Sequence, residues 1–294
     1  MYLQGTARDL MTPPFGSSTP WVSAIDRIDV MASPAREILE IRAEPARGEI
    51  AGLVGHRAGG HLRMAIDNLL PDERDAGSPL YLLLDDLSGA TLVAGWAWSR
   101  WNENWMKSER AEGSRSTAVR NMEGVCIGFA AGSSALLADG SSSTQQSSCP
   151  VPPLEHPDDP QGWHFLPLQE GVGMRRARRI DVWREDGLIR VDAGFQDSST
   201  SPHGGRVAVH EYALSATADI TGRLLSIDAD PRVLPYAECP GAVGNIGRLV
   251  GEPLGNLRRA VLVALRGAAG CTHLNDAMRA LAEVPQLVAT LDGA

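Results

Sequence analysis

His210, Cys239 and Cys271, with His273 close behind, are the residues of this chain whose types and placement suit metal chemistry. Two thiolates and an imidazole suit zinc or iron, and three protein ligands leave the open position that catalytic zinc sites keep. From Val207 to Asp219 the residues alternate. His210, Tyr212, Leu214, Ala216 and Ala218 fall on one face, with Glu211, Ser215, Thr217 and Asp219 on the other, which predicts a strand carrying His210 on its apolar side. Cys239 lies where period two gives way to a helical pattern, and Cys271 opens the last helix, where the helix dipole favours a thiolate. The plainer alternative is that both cysteines are small buried residues and His210 a satisfied core histidine. His273 is two positions from Cys271, so on a regular helix the two side chains point apart. It reads as a pocket residue with a catalytic role beside the metal. Asp228 and Asp230 are candidates for a general base, although solvent-face charges are the simpler reading.

The elements that must position these groups form an α+β pattern of strands followed by helices. Two strand-like runs between Ile180 and Val191 flank the turn Glu185-Asp186-Gly187, and Ile220-Thr221-Gly222 turns the next strand into Leu224–Ala229. Asn256 can cap a helix with the stripe Leu257, Ala260, Val261, Ala264 and Leu265, stopped by Gly267. The last helix carries Leu274, Met278 and Leu281 and is expected to break near Pro285. Upstream, the serines and prolines between Leu137 and Pro153 cannot build a core. The expected layout is residues 1–136, a linker over 137–173, and residues 174–294 with the metal site.

The first half reads as a worn copy of the second. Residues 37–45 mirror 223–231, Leu53-Val-Gly55 mirrors Leu249-Val-Gly251, Gly60-His-Leu-Arg63 mirrors Gly255-Asn-Leu-Arg258, and Gly77-Ser78 stands where Gly270-Cys271 stands. The copy lacks the Cys271 thiol, so the chemistry is expected in the second half. What the first half adds is tryptophan: Trp96, Trp98, Trp101 and Trp105 are four of the seven in the chain. Alternation places Trp96 and Trp98 on one strand face. A core or interface cluster is the plain reading; the functional one is an aromatic wall for an apolar ligand, with His164 folded over it by the segment from Pro157.

The segment from Arg175 onward resembles an uncharacterised bacterial domain family of unknown function, through His210-Glu-Tyr-Ala-Leu214, Pro235-Tyr-Ala-Glu-Cys239-Pro240 and Gly270-Cys-Thr-His-Leu274. It is also similar, remotely, to iron–sulfur scaffold proteins of the NifU, IscU and SufU type. That resemblance implies Cys239 and Cys271 as the second and third ligands, with His210 where the scaffolds have an acid. Two thiolates are too few for a cluster usually held by four ligands, so a single ion is expected instead.

Composition narrows the function. The chain has 294 residues and a formal charge of −9 with no basic block, which argues against a nucleic-acid partner. No apolar run reaches the ~18–20 residues of a membrane span, and no leader pattern opens the sequence. Four cysteines make no disulfide framework, so the cytoplasm is the expected compartment. Walker, dinucleotide-binding and Gly-x-Ser-x-Gly motifs are absent, so no nicotinamide or ATP site is expected. The leading expectation is a metal-dependent lyase, isomerase or hydrolase with one zinc or iron ion and a small, largely apolar oxygenated substrate. The alternatives are a sulfur or metal carrier, and a non-catalytic protein with a structural metal.

Overall fold

The computed structural model describes residues 1–13, 19–102, 122–138, 142–143, 146–156, 159–167 and 169–293. Trp105, Pro157, Asp158 and Ser141 lie outside them. The chain divides into two compact units, one of residues 1–92, 154–166 and 286–294, the other of residues 93–153 and 167–285.

The first unit opens with a three-stranded antiparallel sheet, β1 (Tyr2–Met11), β2 (Trp21–Ala32) and β3 (Ile38–Glu44). A 3-10 segment, Gly48–Leu53, leads to α1 (Leu62–Leu69), α2 (Pro71–Ala76) and α3 (Pro79–Trp101), whose residues from 93 onward are counted in the second unit. Period-two apolar residues of the sheet (Ile28, Val30, Ile41) pack with Leu62 and Ile66 of α1 and with Leu80 and Leu84 of α3. Asp9, on β1, is half-buried; desolvation, and then the Asp26 carboxylate, push it up from 3.8 to about 6. A carboxyl raised on folding binds its proton more tightly in the folded state, so its stabilisation is full below pH ~4 and lost as the pH rises through ~6. Asp9→Asn is therefore expected to leave stability at pH 4 unchanged and to raise it by about 1–2 kcal/mol at pH 7.5, a figure discounted for partial exposure. Urea unfolding at the two pH values checks this.

The second unit is built on a five-stranded antiparallel sheet of β4 (Cys149–Val151), β5 (Met174–Glu185), β6 (Leu188–Thr200), β7 (Arg206–Ala218) and β8 (Leu224–Val233). β6 lies between β5 and β7, while β4 and β8 take successive stretches of the other edge of β7. The β5–β6 turn needs two residues at positive φ, Asp186 (53°) and Gly187 (73°), as the tight hairpin twist requires. A 3-10 segment (Cys239–Leu249), α4 (Leu257–Ala264) and α5 (Thr272–Ala280) follow; the next helix, α6 (Val284–Asp292), has its residues from 286 onward in the first unit.

The α+β order and the strand through His210 are as the sequence predicts: His210, Tyr212, Leu214, Ala216 and Ala218 are all buried. Three local readings are corrected. Trp96 and Trp98 lie on α3, not on a strand. Helix formers dominate Leu80–Ala97, and two residues about 200° apart on a helix cannot share a face. Cys239 opens a glycine-rich 3-10 segment and not an α-helix. The expected break near Pro285 is present: α5 ends at Ala280, and Pro285 sits in the first turn of α6, where its missing N–H costs no helical bond. Within the 137–173 stretch, Cys149–Val151 pairs with β7, and the Ser143 carbonyl accepts the Tyr236 hydroxyl at 2.8 Å. Among the described residues, no helix is long and apolar enough to cross a membrane.

Candidate metal centre

The end of β6, Gln196-Asp-Ser-Ser-Thr200, is polar throughout and buried throughout. Such a run must be satisfied by partners. Asp197, with no exposed surface, is a direct cross-strand neighbour of Arg176 on β5. The guanidinium grips it with a fork: Nε donates to Oδ1 at 2.9 Å and Nη2 to Oδ2 at 2.8 Å. The remaining Nη1 donates to Asp276 Oδ2 on α5 at 3.1 Å, tying sheet to helix.

A β-bulge aims the next group. Asp197 faces His210 and Ser198 faces Ala208, which leaves Val209 as the extra residue of β7. The first turn of α5 then brings His273 onto His210, their rings stacked with centroids 3.4 Å apart and planes 18° from parallel. His210 Nδ1 lies 4.0 Å and His273 Nε2 3.9 Å from Asp197 Oδ2. One ligand-type atom from each of the three buried residues lies within 4.8 Å of the others. His210 Nδ1 is buried without a hydrogen-bond partner. Burial, and then the neighbouring His273, hold the His210 imidazole well below its ordinary range. Burial, and then the Arg176 charge, take His273 down to about 3. Both rings are thus neutral at physiological pH, the form that binds metals.

The cysteines form a neighbouring group. Cys271 is the residue before α5, with extended backbone, and its Sγ accepts the Tyr212 hydroxyl at 3.4 Å. β7 and the start of α5 therefore make two contacts side by side, His210 with His273 and Tyr212 with Cys271. Burial pushes the Cys271 thiol up, outweighing the helix start expected to favour a thiolate, and pushes Cys239 up to about 12. A β-carbon built on Gly128 would stand 2.9 Å from Cys239 Sγ and 3.8 Å from Cys126 Sγ, so the 3-10 turn Ile127–Phe129 brings those two thiols near each other. Among the described residues, no group joins His210 to Cys239 and Cys271 with all ligand atoms within 4.8 Å. The structure joins His210 to Asp197 and His273 instead.

Gly270 explains the start of the closing motif. A β-carbon there would lie 2.3 Å from the Leu265 carbonyl oxygen and within 2.9 Å of the Asn275 amide. That amide brackets the helix start by donating to Leu265 O at 3.0 Å. Gly270→Ala is expected to cost about 3 kcal/mol, at the upper end for overpacking against backbone, seen as a lowered urea midpoint.

The other predicted residues lie elsewhere. Asp228 and Asp230 are on the exposed side of β8, with Asp230 accepting from Arg232 Nε at 3.2 Å. Trp98 and Trp101, three residues apart on α3, are 38% and 37% exposed; Trp101 Nε1 donates to Thr200 O at 3.1 Å, and Arg100 lies over the Trp96 ring. His164 belongs to the first unit, where burial, and then Arg8, lower its affinity for a proton. Asp197 and Arg176 escaped the sequence reading, because a polar pentad reads as a loop.

With the Asp197 oxygen 4.0 and 3.9 Å from the two nitrogens and all three atoms within 4.8 Å of one another, a shared centre lies about 2.2–2.5 Å from each, at or slightly beyond the ~2.0–2.2 Å of zinc–nitrogen and zinc–oxygen bonds. The donor set of two imidazoles and one carboxylate suits zinc or ferrous iron and leaves positions for water or substrate. Ligation in the planes of both imidazoles requires the two rings to turn out of their near-parallel stack. Arg176 fixes the carboxylate as outer partners of metal ligands do, and Asp276 offsets its charge.

Residues 174–286 match a family model described as a protein of unknown function, DUF2889, and every residue of this centre lies inside that span. No curated protein and no solved structure matches the chain, iron–sulfur scaffold proteins included.

Proposed function

We propose that the second unit holds one zinc or iron ion through Asp197, His210 and His273, and that the chain is a metal-dependent enzyme for a small, largely apolar oxygenated substrate. The observation that carries this reading is the meeting of three buried ligand atoms within 4.8 Å, from two strands and a helix. When bound, such an ion polarises a substrate oxygen or lowers the pKa of a bound water to ~7, which serves a lyase, an isomerase or a hydrolase. Arg176 holds the Asp197 carboxylate in place, and the His273–His210 contact sets both imidazoles at one edge of it. The carrier alternative needs an accessible, acidic thiol, whereas Cys271 is 2% exposed with a raised pKa. The test is metal content by elemental mass spectrometry. About one ion per chain is expected in the wild type and in Cys239→Ala and Cys271→Ala, with loss in His210→Ala and His273→Ala. Retention in the histidine variants, or no stoichiometric metal in the wild type, would overturn the reading.

We also propose that the two units descend from a tandem duplication whose second copy kept the ligands. The support is bond-by-bond likeness. In the first unit Ser33 N donates to Glu37 O, Gly55 N to Ile38 O, Ile38 N to His56 O and Ala58 N to Arg36 O. In the second, Asp219 N donates to Arg223 O, Gly251 N to Leu224 O, Leu224 N to Glu252 O and Leu254 N to Gly222 O. Register shifts recur too, after the pairs Asp9–Ala24 and Asp197–His210. The first copy thus keeps the carboxylate as Asp9 and has Ala24 where the second has His210.

A further inference from the structure

On the face of β6 opposite Asp197, the same sheet holds two arginines with no acid between them. Arg175 is the cross-strand partner of Ser198, and Arg206 reaches the same serine from β7, its Nε donating to Ser198 Oγ at 3.2 Å and its Nη2 to Ser198 O at 3.0 Å. Arg175 Nε and Nη2 are buried and without a hydrogen-bond partner, although these are the atoms with which Arg176, one residue on, grips Asp197. No carboxylate among the described residues is paired with either guanidinium. Each raises the cost of the other: burial lowers the proton affinity of both, and Arg175 then lowers that of Arg206 to about 10. Burying like charges side by side without counter-charge is expensive, and a fork of N–H donors matches a planar or tetrahedral oxyanion. Both residues keep some exposed surface.

We propose that Arg175 and Arg206 clamp an oxyanion, the carboxylate or phosphate group of a ligand, beside Ser198. The site is separate from the metal centre, because consecutive residues of β6 point to opposite faces. The experiment is isothermal titration of the full chain with inorganic phosphate and, separately, with acetate, in a buffer free of other oxyanions. Saturable binding with one ion per chain is expected, weakened about tenfold or more in Arg175→Met and in Arg206→Met, as befits loss of a charge-assisted bidentate contact. Phosphate binding alone identifies a phosphorylated ligand; acetate binding as well identifies a carboxylate. His273→Ala is expected to bind the probe unchanged, which separates the clamp from the metal centre. The melting temperature of Arg175→Met without anion is expected to equal or exceed that of the wild type, since an uncompensated buried charge is gone. Absence of saturable binding, binding unaltered in both arginine variants, or binding lost only in His273→Ala would each overturn the clamp.

Discussion

Replacing Arg176 with methionine is expected to destabilise the second unit by about 3–5 kcal/mol, the penalty for stripping the partner from a buried charge. Asp197 has no exposed surface, and two guanidinium N–H groups serve its carboxylate. The same side chain holds Asp276 on α5, so the substitution also releases the sheet from the helix that carries His273. A second change distinguishes charge from packing. Adding Asp197→Asn to Arg176→Met removes the orphaned charge and is expected to restore about half of the loss, because a neutral amide costs less to bury than a carboxylate. Urea denaturation of the two single variants and the double variant measures this coupling. Additive losses would show that the pair is not the tie described here.

Losing any one of Asp197, His210 and His273 is expected to weaken metal binding by more than about 100-fold, the upper end of what loss of a mere outer partner does. Three ligands are the fewest that a catalytic zinc site uses, so no spare ligand takes over. Competition with a chromophoric chelator gives the constants directly. Cys239→Ala and Cys271→Ala are expected to stay within a few-fold of the wild type. Their ligand-type atoms form no group with His210, and Cys271 is already occupied by the Tyr212 hydroxyl. Asp197→Asn is the most telling variant, since it keeps shape and hydrogen bonding while removing the charge that attracts a cation.

Much of the frame was legible from patterning. From His210 onward β7 announces itself by alternation, because there one face is buried and the other partly exposed. The turns at Gly187 and Gly222 are legible for a steric reason: both residues sit at positive φ, 73° and 80°, where glycine is at ease. The site was half legible. His210 and His273 stand out by residue type, but their meeting depends on which residue of β7 is bulged out and on where α5 begins, and neither leaves a local signature. Asp197 was hidden because its neighbours Gln196, Ser198, Ser199 and Thr200 are loop-favouring residues; only pairing with Arg176 through the long β5–β6 hairpin makes a buried strand of them. Cys239 and Cys271 drew attention for the opposite reason. Thiols are rare and suggest ligands, yet here burial keeps them protonated and Tyr212 gives one of them a partner. The tryptophan run misled through brevity, since two residues at i and i+2 cannot outweigh a helix of more than twenty residues.

The most direct measurement is X-ray absorption at the metal edge of the full chain loaded with one zinc ion. The predicted spectrum has a first shell of nitrogen and oxygen alone at ~2.0–2.2 Å, with the outer-shell pattern of two imidazoles and no sulfur. A sulfur shell at ~2.3 Å would hand the ion to Cys239 and Cys271 and contradict the Asp197–His210–His273 centre.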